Sequence, residues 1–265
     1  MSVLGEFYQF VDGQLRHVDD TLMETLSVAD SFLVENGRVR ALDRHFKRFS
    51  GSITTPGVTN ELNQFFEAVM NQLPKTGAWF PRIEYRAELP KGEQLVLRLR
   101  EAPERSESLT LWTLDEPDPR KNPRVKGPDL SACQRLRRAA NLRGADEAVI
   151  VDTDGYICDG ALSSIVWWRG DVLEAPDSST PWLPSITREL VFELAKAAGH
   201  QTLETKAKPE DLADCEIWSL SALQGIRTVS HWGELKVATP KFASPFRKRL
   251  SLLSTEISQI QSSVA

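Results

Sequence analysis

The sequence predicts an α+β protein built as two lobes, and three observations carry that prediction. Period-two runs suited to half-buried strands alternate along the whole chain with apolar residues at helical spacing. One stretch, residues 115–124 (DEPDPRKNPR), sets three prolines in a dense mix of charges, which makes a poor helix and a poor strand and reads as an interdomain linker. The length, 265 residues, suffices for one large core or two modest ones. The expected organisation is a smaller N-terminal α/β domain over residues 1–114, a linker over 115–125 and a larger C-terminal α/β domain over 126–265, with no internal repeat.

In the N-terminal half, residues 7–11 form the first expected strand, ended by the Asp12-Gly13 turn. A second strand at 31–34 runs into Asn36-Gly37, a dipeptide that favours tight hairpins. Leu42, Phe46 and Phe49 mark a short helix over 42–49, and Asp43 sits at its start. Leu62, Phe65, Phe66, Val69 and Leu73 line one face of a clearer amphipathic helix over 61–73. Strands follow at 82–86 and 94–100. In the latter, Leu95, Leu97 and Leu99 alternate with Val96, Arg98 and Arg100, so the two arginines share a face.

Beyond the linker, a helix is expected over 130–140, then strands at 147–151, 156–158, 163–168 and 172–174, separated by Asp154-Gly155 and Gly170-Asp171 turns. Leu190, Leu194 and Ala198 predict a helix over 187–198, followed by a strand at 202–205, a short helix near Glu210 and a strand at 216–220. Leu250, Leu253, Ile257 and Ile260 predict a C-terminal helix over 242–260.

Composition excludes several function classes. Lys and Arg total 32 against 37 Asp and Glu, a net charge of −5, which argues against a polyanion-binding surface and so against a nucleic-acid partner. No apolar run approaches membrane-spanning length. The opening MSVLGEFYQFVDG lacks the basic start and apolar stretch of a secretory leader. Cys133, Cys158 and Cys215 form no C-x-x-C pair, and His17, His45, His200 and His231 are scattered, so neither a disulfide framework nor a metal site is expected. A reducing cytoplasm is the simplest compartment. Motifs for dinucleotides, P-loop phosphates, H-E-x-x-H zinc and the G-x-S-x-G nucleophile are all absent.

Five smaller features remain, each of which fits an ordinary structural role when taken alone. Lys126, in RVKGPD, could be desolvated and so readied to condense with a carbonyl; a solvated linker lysine is the plainer reading. Asp159 follows a strand next to a glycine and could partner a cationic ring nitrogen, or serve a turn. In LPSITR, hydroxyl residues open a helix whose N-terminal N–H groups favour an anion such as phosphate, although Ser/Thr N-caps are common. Ser221 and Ala222 end a strand in small residues whose backbone could approach a phosphate, or simply leave the sheet. Arg48, in HFKRF, could pair with a phosphate, and His45 beside it suits a structural role equally.

Taken in order, these features resemble the class IV aminotransferase family, the fold-type IV enzymes that use pyridoxal 5′-phosphate (PLP). The resemblance runs from about residue 7 to 232, through FVDGQ, the H-x-x-R of His45 and Arg48, Lys126, GADEAVIVDTDGYICDGALSSIVWW, LPSITR and SALQGIRTV. The Gly-Ile-Arg ending and the VKGPDL context look most like the 4-amino-4-deoxychorismate lyase branch. The resemblance implies two lobes with PLP held between them, a small-molecule amine substrate and a homodimer. It implies that Lys126 binds the cofactor and moves the substrate proton. Arg48, Ile186, Thr187, Ser221 and Ala222 would hold the phosphate, and Asp159 would stand at the pyridine nitrogen, where the family usually has a glutamate. Ser185 replaces a usual glycine and Ser164 a common asparagine, and VADSFLV stands where a Phe-Glu-Thr signature is usual. Ser31 is the nearest hydroxyl to the proton-handling threonine of the lyases. The lyase expels pyruvate to give 4-aminobenzoate, a folate precursor. Its substrate carries two carboxylates, which Arg98, Arg100 and Arg227 would meet. The alternatives are a class IV aminotransferase acting on a branched-chain or D-amino acid with a keto-acid acceptor, and a catalytically silent homologue.

Overall fold

A computed structural model describes residues 5–19 and 25–264; residues 1–4, which open the stretch read against a secretory leader, lie outside them. The chain divides into two compact units. The first comprises Met1–Glu104, Val125–Pro128 and Leu253–Ala265, the second Arg105–Arg124 and Asp129–Leu252. These borders differ from the expected 1–114, 115–125 and 126–265 because residues 108–113 pair with strands of the second unit and residues 254–256 with a strand of the first.

In the first unit, β1 (Glu6–Val11) and β2 (Gln14–Val18) make a hairpin. Its turn residues Asp12 and Gly13 have φ of 51° and 77°. Both central residues lie in the left-handed region, the geometry whose twist matches that of paired strands. β3 (Val28–Ser31), β7 (Arg82–Tyr85) and β8 (Leu95–Leu99) complete an antiparallel sheet in the order β2-β1-β8-β7-β3. A second sheet contains β4 (Val34–Glu35), β5 (Arg38–Arg40) and β6 (Ala78–Trp79). The strand expected at 31–34 is thus broken: Phe32 and Leu33 carry the chain from one sheet to the other, and Phe32 is fully buried in the core. Helices α1 (Leu42–Gly51) and α2 (Leu62–Gln72) cover the larger sheet. Phe10, Val28, Ile83, Tyr85, Leu95 and Leu97 meet Leu42, Phe49, Phe65 and Val69 from these helices, as the two periodicities require.

In the second unit, an eight-stranded mixed sheet contains β9 (Ser108–Thr113), β10 (Glu147–Val151), β11 (Ile157–Gly160), β12 (Ser164–Arg169), β13 (Val172–Pro176), β14 (Gln201–Thr205), β15 (Glu216–Ser221) and β16 (Gly225–Trp232). Its order is β11-β10-β9-β16-β15-β12-β13-β14, and the edge strand β11 comes back against β12 and β13. Helix α3 (Leu130–Leu142) packs on β10, α4 (Ile186–Ala197) on β14 and β15, and α5 (Ala243–Leu252) on β16. Strand β9 pairs in parallel with β10 and with β16, which places residues 105–114 in this unit rather than in the N-terminal domain.

The expected C-terminal helix over 242–260 is interrupted. After α5, β17 (Ser254–Glu256) pairs antiparallel with β5, and α6 (Ile257–Val264) follows. Arg38 fixes the crossing: its Nη2 donates to the Ser254 carbonyl at 2.5 Å and its Nη1 lies 3.3 Å from Glu256. The last residues therefore join the first unit. Among the described residues no helix is long and apolar enough to cross a membrane.

Candidate active site

The residues expected to carry chemistry fall on both units. In the first unit, Lys126 lies against β3. The Ala29 N–H donates to the Lys126 carbonyl at 2.7 Å, and Val125 packs on the hydrophobic core. Gly127 makes this docking possible. Its φ is +140°, and a Cβ there would stand 2.8 Å from Val28 Cα and 2.9 Å from the Ala29 nitrogen. Gly127→Ala is therefore expected to cost about 2 kcal/mol or more through backbone strain and displacement of the lysine segment. Denaturant unfolding followed with the labelling of Lys126 by PLP checks it.

Next to that segment sits a buried charge cluster. Asp30, on β3, is fully buried and points from the sheet toward α1. Its carboxylate accepts from Arg48 Nε at 2.7 Å and Nη2 at 2.8 Å, from His45 Nδ1 at 2.8 Å and from the Ser31 backbone N–H at 2.7 Å. Burial alone would raise the Asp30 carboxyl, but His45 and Arg48 hold it well below the usual carboxylate range. Burial lowers the His45 imidazole, and the cations Arg48 and Lys126 add to this against the pull of Asp30. The cluster thus joins two residues expected to differ in role: Arg48 is anchored by a carboxylate, and His45 is part of that anchor.

The opposite face of the same sheet carries cations. Register aligns Ser31 with Arg82, Arg82 with Arg98, and Arg98 with Phe7, so these four form one row across β3, β7, β8 and β1. Glu84 accepts from Arg82 Nε at 2.6 Å and from Arg86 Nη2 at 2.7 Å. The Arg98 guanidinium lies 5.0 Å from the Phe7 ring centroid, and Arg100 lies 4.9 Å from that of Phe80. Burial, with Arg82 and Arg98 nearby, lowers Arg100 to about 10. Ser31, Arg98 and Arg100 are therefore brought into one neighbourhood, with Arg82 at its centre.

In the second unit, Asp159 on β11 is buried. Its Oδ2 accepts from the Leu183 N–H at 3.0 Å and lies 3.6 Å from Arg120 Nη1. Burial pushes this carboxyl up to about 6, against the pull of Arg120, the Leu183 N–H, the Ser164 hydroxyl and Arg188. Leu183 leads into α4, so Asp159 is tied to the chain entering that helix. Ser185 caps α4, its hydroxyl accepting from the Arg188 N–H at 3.2 Å. Ile186 and Thr187 follow as the first two helical residues, whose N–H groups have no acceptor within a helix. The Ser221 hydroxyl accepts from the Gln224 N–H at 3.1 Å and closes the β15–β16 turn, where Ala222 sits. The segment read as a strand exit is thus a hairpin.

Arg227 belongs to the second unit, Arg98 and Arg100 to the first. It pairs in register with Ser219 on the sheet face that also holds Glu147, and it is buried. Arg227 Nε and Ser219 Oγ are buried without a hydrogen-bond partner. Burial pushes Glu147 up to about 7, against Arg137, Arg227 and the Ser163 hydroxyl, which donates to it at 3.1 Å.

Glu147 and Asp159 both hold protons more tightly when folded than when unfolded. Their stabilising contribution is full below about pH 4 and is lost as pH rises through 6 and 7. Asp30 is shifted the other way; its contribution is present above pH 4 and lost only at lower pH. The stability of the wild type read from thermal unfolding is expected to fall between pH 5 and 8, and Glu147→Gln to reduce that fall by about 2 kcal/mol.

Asp30, Arg82, Glu84 and Arg120 stand beside the candidate residues and were not singled out from the sequence. A signal existed for Arg82, an arginine opening a strand whose partner strand was already noted for its arginines. Among the described residues, no group of three or more His, Cys, Asp or Glu is arranged to hold a metal ion.

The family described as amino-transferase class IV matches over residues 27–232. A putative branched-chain-amino-acid aminotransferase of Methanocaldococcus jannaschii is 32% identical over 91 residues, 34% of this chain and 32% of that protein. A bifunctional aminodeoxychorismate lyase / D-amino acid transaminase of Mycobacterium tuberculosis is 33% identical over 96 residues, 33% of this chain and 33% of that protein. The match thus spans about a third of the length of these relatives. A solved structure, a hypothetical aminotransferase from Mycobacterium tuberculosis in PLP-bound form, has a TM-score of 0.77 at 17% identity and covers 94% of this chain and 98% of its own. The shared feature at that identity is the fold, and it is the α+β fold-type IV class that the sequence predicts.

Proposed function

The chain belongs to the class IV amino-transferase family, and on that premise we propose that it is a PLP-dependent 4-amino-4-deoxychorismate lyase, acting as a homodimer in the cytoplasm. The residues present fit the cofactor by the chemistry of their donors: a lysine amine, an anchored guanidinium, the N–H groups at the start of α4, and a buried carboxylate. Lys126 would bind the cofactor aldehyde. By the family resemblance, Arg48, Ile186, Thr187, Ser221 and Ala222 would hold its phosphate. Asp159 would stand at the ring nitrogen. When bound, PLP supplies an electron sink for a carbanion at the amine-bearing carbon.

The protein's own part is to place groups and move protons. Lys126 Nζ would take the proton from that carbon. The C–O bond to the enolpyruvyl group then breaks, the ring becomes aromatic, and pyruvate and 4-aminobenzoate leave. Ser31, at the end of the row with Arg82 and Arg98, would return a proton to the departing group. Asp30 makes Arg48 a preset donor, since Nε and Nη2 are already fixed.

The observation that carries the lyase reading is the cationic row Arg82–Arg98, with Arg100 beside it and Glu84 paired to Arg82. Bidentate guanidinium pairing suits a substrate with two carboxylates. The SALQGIRTV pattern supports the same branch. The matched segments of branched-chain aminotransferases favour a second reading, transfer of an amine from a branched-chain or D-amino acid to a keto acid. Purified protein loaded with PLP and given aminodeoxychorismate is expected to release 4-aminobenzoate and pyruvate in equal amounts. Amine transfer to 2-oxoglutarate without 4-aminobenzoate rejects the lyase. Sedimentation of the purified protein reads the dimer.

A further inference from the structure

We propose that Arg120 is a positioning residue for Asp159, holding that carboxylate anionic by charge rather than by a hydrogen bond. The inference deepens the reading above and rests on it, because it concerns the group that would face the cofactor ring. Arg120 lies in the proline-rich stretch expected to be an interdomain linker, and its side chain is 4% exposed. Its fork is already occupied on one side. Nε and Nη2 donate to Asp118 at 3.0 Å and 2.8 Å, and Nη2 also donates to the Pro181 carbonyl at 2.7 Å. Nη1 stands 3.6 Å from Asp159 Oδ2. That separation is too long for a hydrogen bond and well within the range of a strong charge effect at a buried site.

The geometry separates two jobs. The Leu183 N–H orients the Asp159 carboxylate from 3.0 Å, and Arg120 compensates its charge. An aspartate buried to this degree would otherwise take up a proton, and a neutral acid gives a ring nitrogen no reason to stay protonated. Every charged neighbour bears on the balance. Asp118 opposes Arg120. Arg188 on α4 assists it, with its own charge shared with Glu204 at 2.6 Å. The Ser164 hydroxyl also favours the anion. Cys158, beside Asp159, is raised to about 12 and stays neutral, and Cys133 on α3 is the remaining titratable group near Arg120.

The test reads Asp159 directly. The full-length chain carrying aspartate labelled with carbon-13 at the side-chain carboxyl is titrated by NMR without cofactor, and Asp159→Asn assigns the signal. Arg120→Met is expected to raise the Asp159 midpoint by about 1 to 3 pH units, and Arg120→Lys by less. Asp118→Asn is expected to lower it, because Arg120 then faces Asp159 with its charge undivided. Opposite signs from two neighbouring substitutions are not the mark of a merely structural role. Should Arg120→Met fail to fold, Arg120→Lys and Asp118→Asn still decide. Unchanged midpoints, or shifts of the same sign, overturn the proposal.

The second readout is the affinity for PLP relative to its 1-deaza analogue, which lacks the ring nitrogen. The wild type is expected to prefer PLP, and Arg120→Met to lose about tenfold of that preference, a change of about 1.4 kcal/mol. A preference left intact in Arg120→Met overturns the inference about Arg120 alone. A wild type that binds neither compound overturns the functional reading, whatever the NMR shifts.

Discussion

Lys126→Ala is expected to lower turnover by roughly 10⁴-fold or more, because one side chain is asked to act both as the covalent anchor and as the base. The protein should still fold. The docking of this segment runs through the Lys126 carbonyl, the Val125 side chain and the close approach at Gly127, none of which needs the amine. Lys126→Arg keeps a cation near His45 but cannot condense with an aldehyde, and should be as inactive as the alanine variant. Borohydride reduction of the PLP-loaded wild type followed by peptide mass mapping should find the added mass on the peptide containing Lys126 and on no other. Full turnover by Lys126→Ala, or labelling elsewhere, removes the basis of the functional reading.

The second large effect belongs to a residue without any assigned chemistry. Asp30→Ala leaves the part-buried Arg48 guanidinium beside His45 without this carboxylate, and is expected to cost about 2–3 kcal/mol of stability. Removing both charges together, as Asp30→Ala with Arg48→Leu, should cost less than the sum of the single changes, since each single change takes away the same two hydrogen bonds. Urea unfolding of the two single variants and the double variant measures that coupling. Additive costs would mean that Asp30 and Arg48 do not depend on one another. Phosphate competition against PLP binding gives a separate view, because Asp30→Asn loosens the fork of Arg48 without deleting it.

Local physics made much of the fold readable. The Asp12-Gly13 and Asn36-Gly37 turns adopt the positive φ values that those residue types tolerate, and both hairpins form. The apolar stripes of α1, α2 and α4 sit within two residues of where their spacing puts them. What escaped depends on partners far along the chain. Strand β9 is held between β10 and β16 in parallel pairings that leave no short-range mark, and β16 was hidden because its opening residues suit a loop. The C-terminal stripe has helical spacing, but pairing of Ser254–Glu256 with β5 overrides it. The site divides in the same way. Lys126, Arg48 and Asp159 stood out by their sequence neighbours. Asp30 and Arg120 did not, since a buried carboxylate on a strand and a buried guanidinium in a charged loop look, in one dimension, like surface residues. Arg227 was noted because it follows the Ser221–Ala222 segment; its buried neighbour Glu147, on another strand of the same sheet, left no mark near it in the sequence.

The polypeptide passes between the two units four times, at 104/105, 124/125, 128/129 and 252/253. Neither half is therefore a contiguous gene fragment, and no single cut yields two autonomous pieces. A protease nick within 115–124 would leave both products tethered by non-covalent contacts alone, each still missing a segment carried by the other. Trimming the tail from residue 253 would strip the β5 edge of its neighbour at the far end of the sequence. Expression trials that shorten or split this chain should expect insoluble product, for reasons of connectivity and not of catalysis.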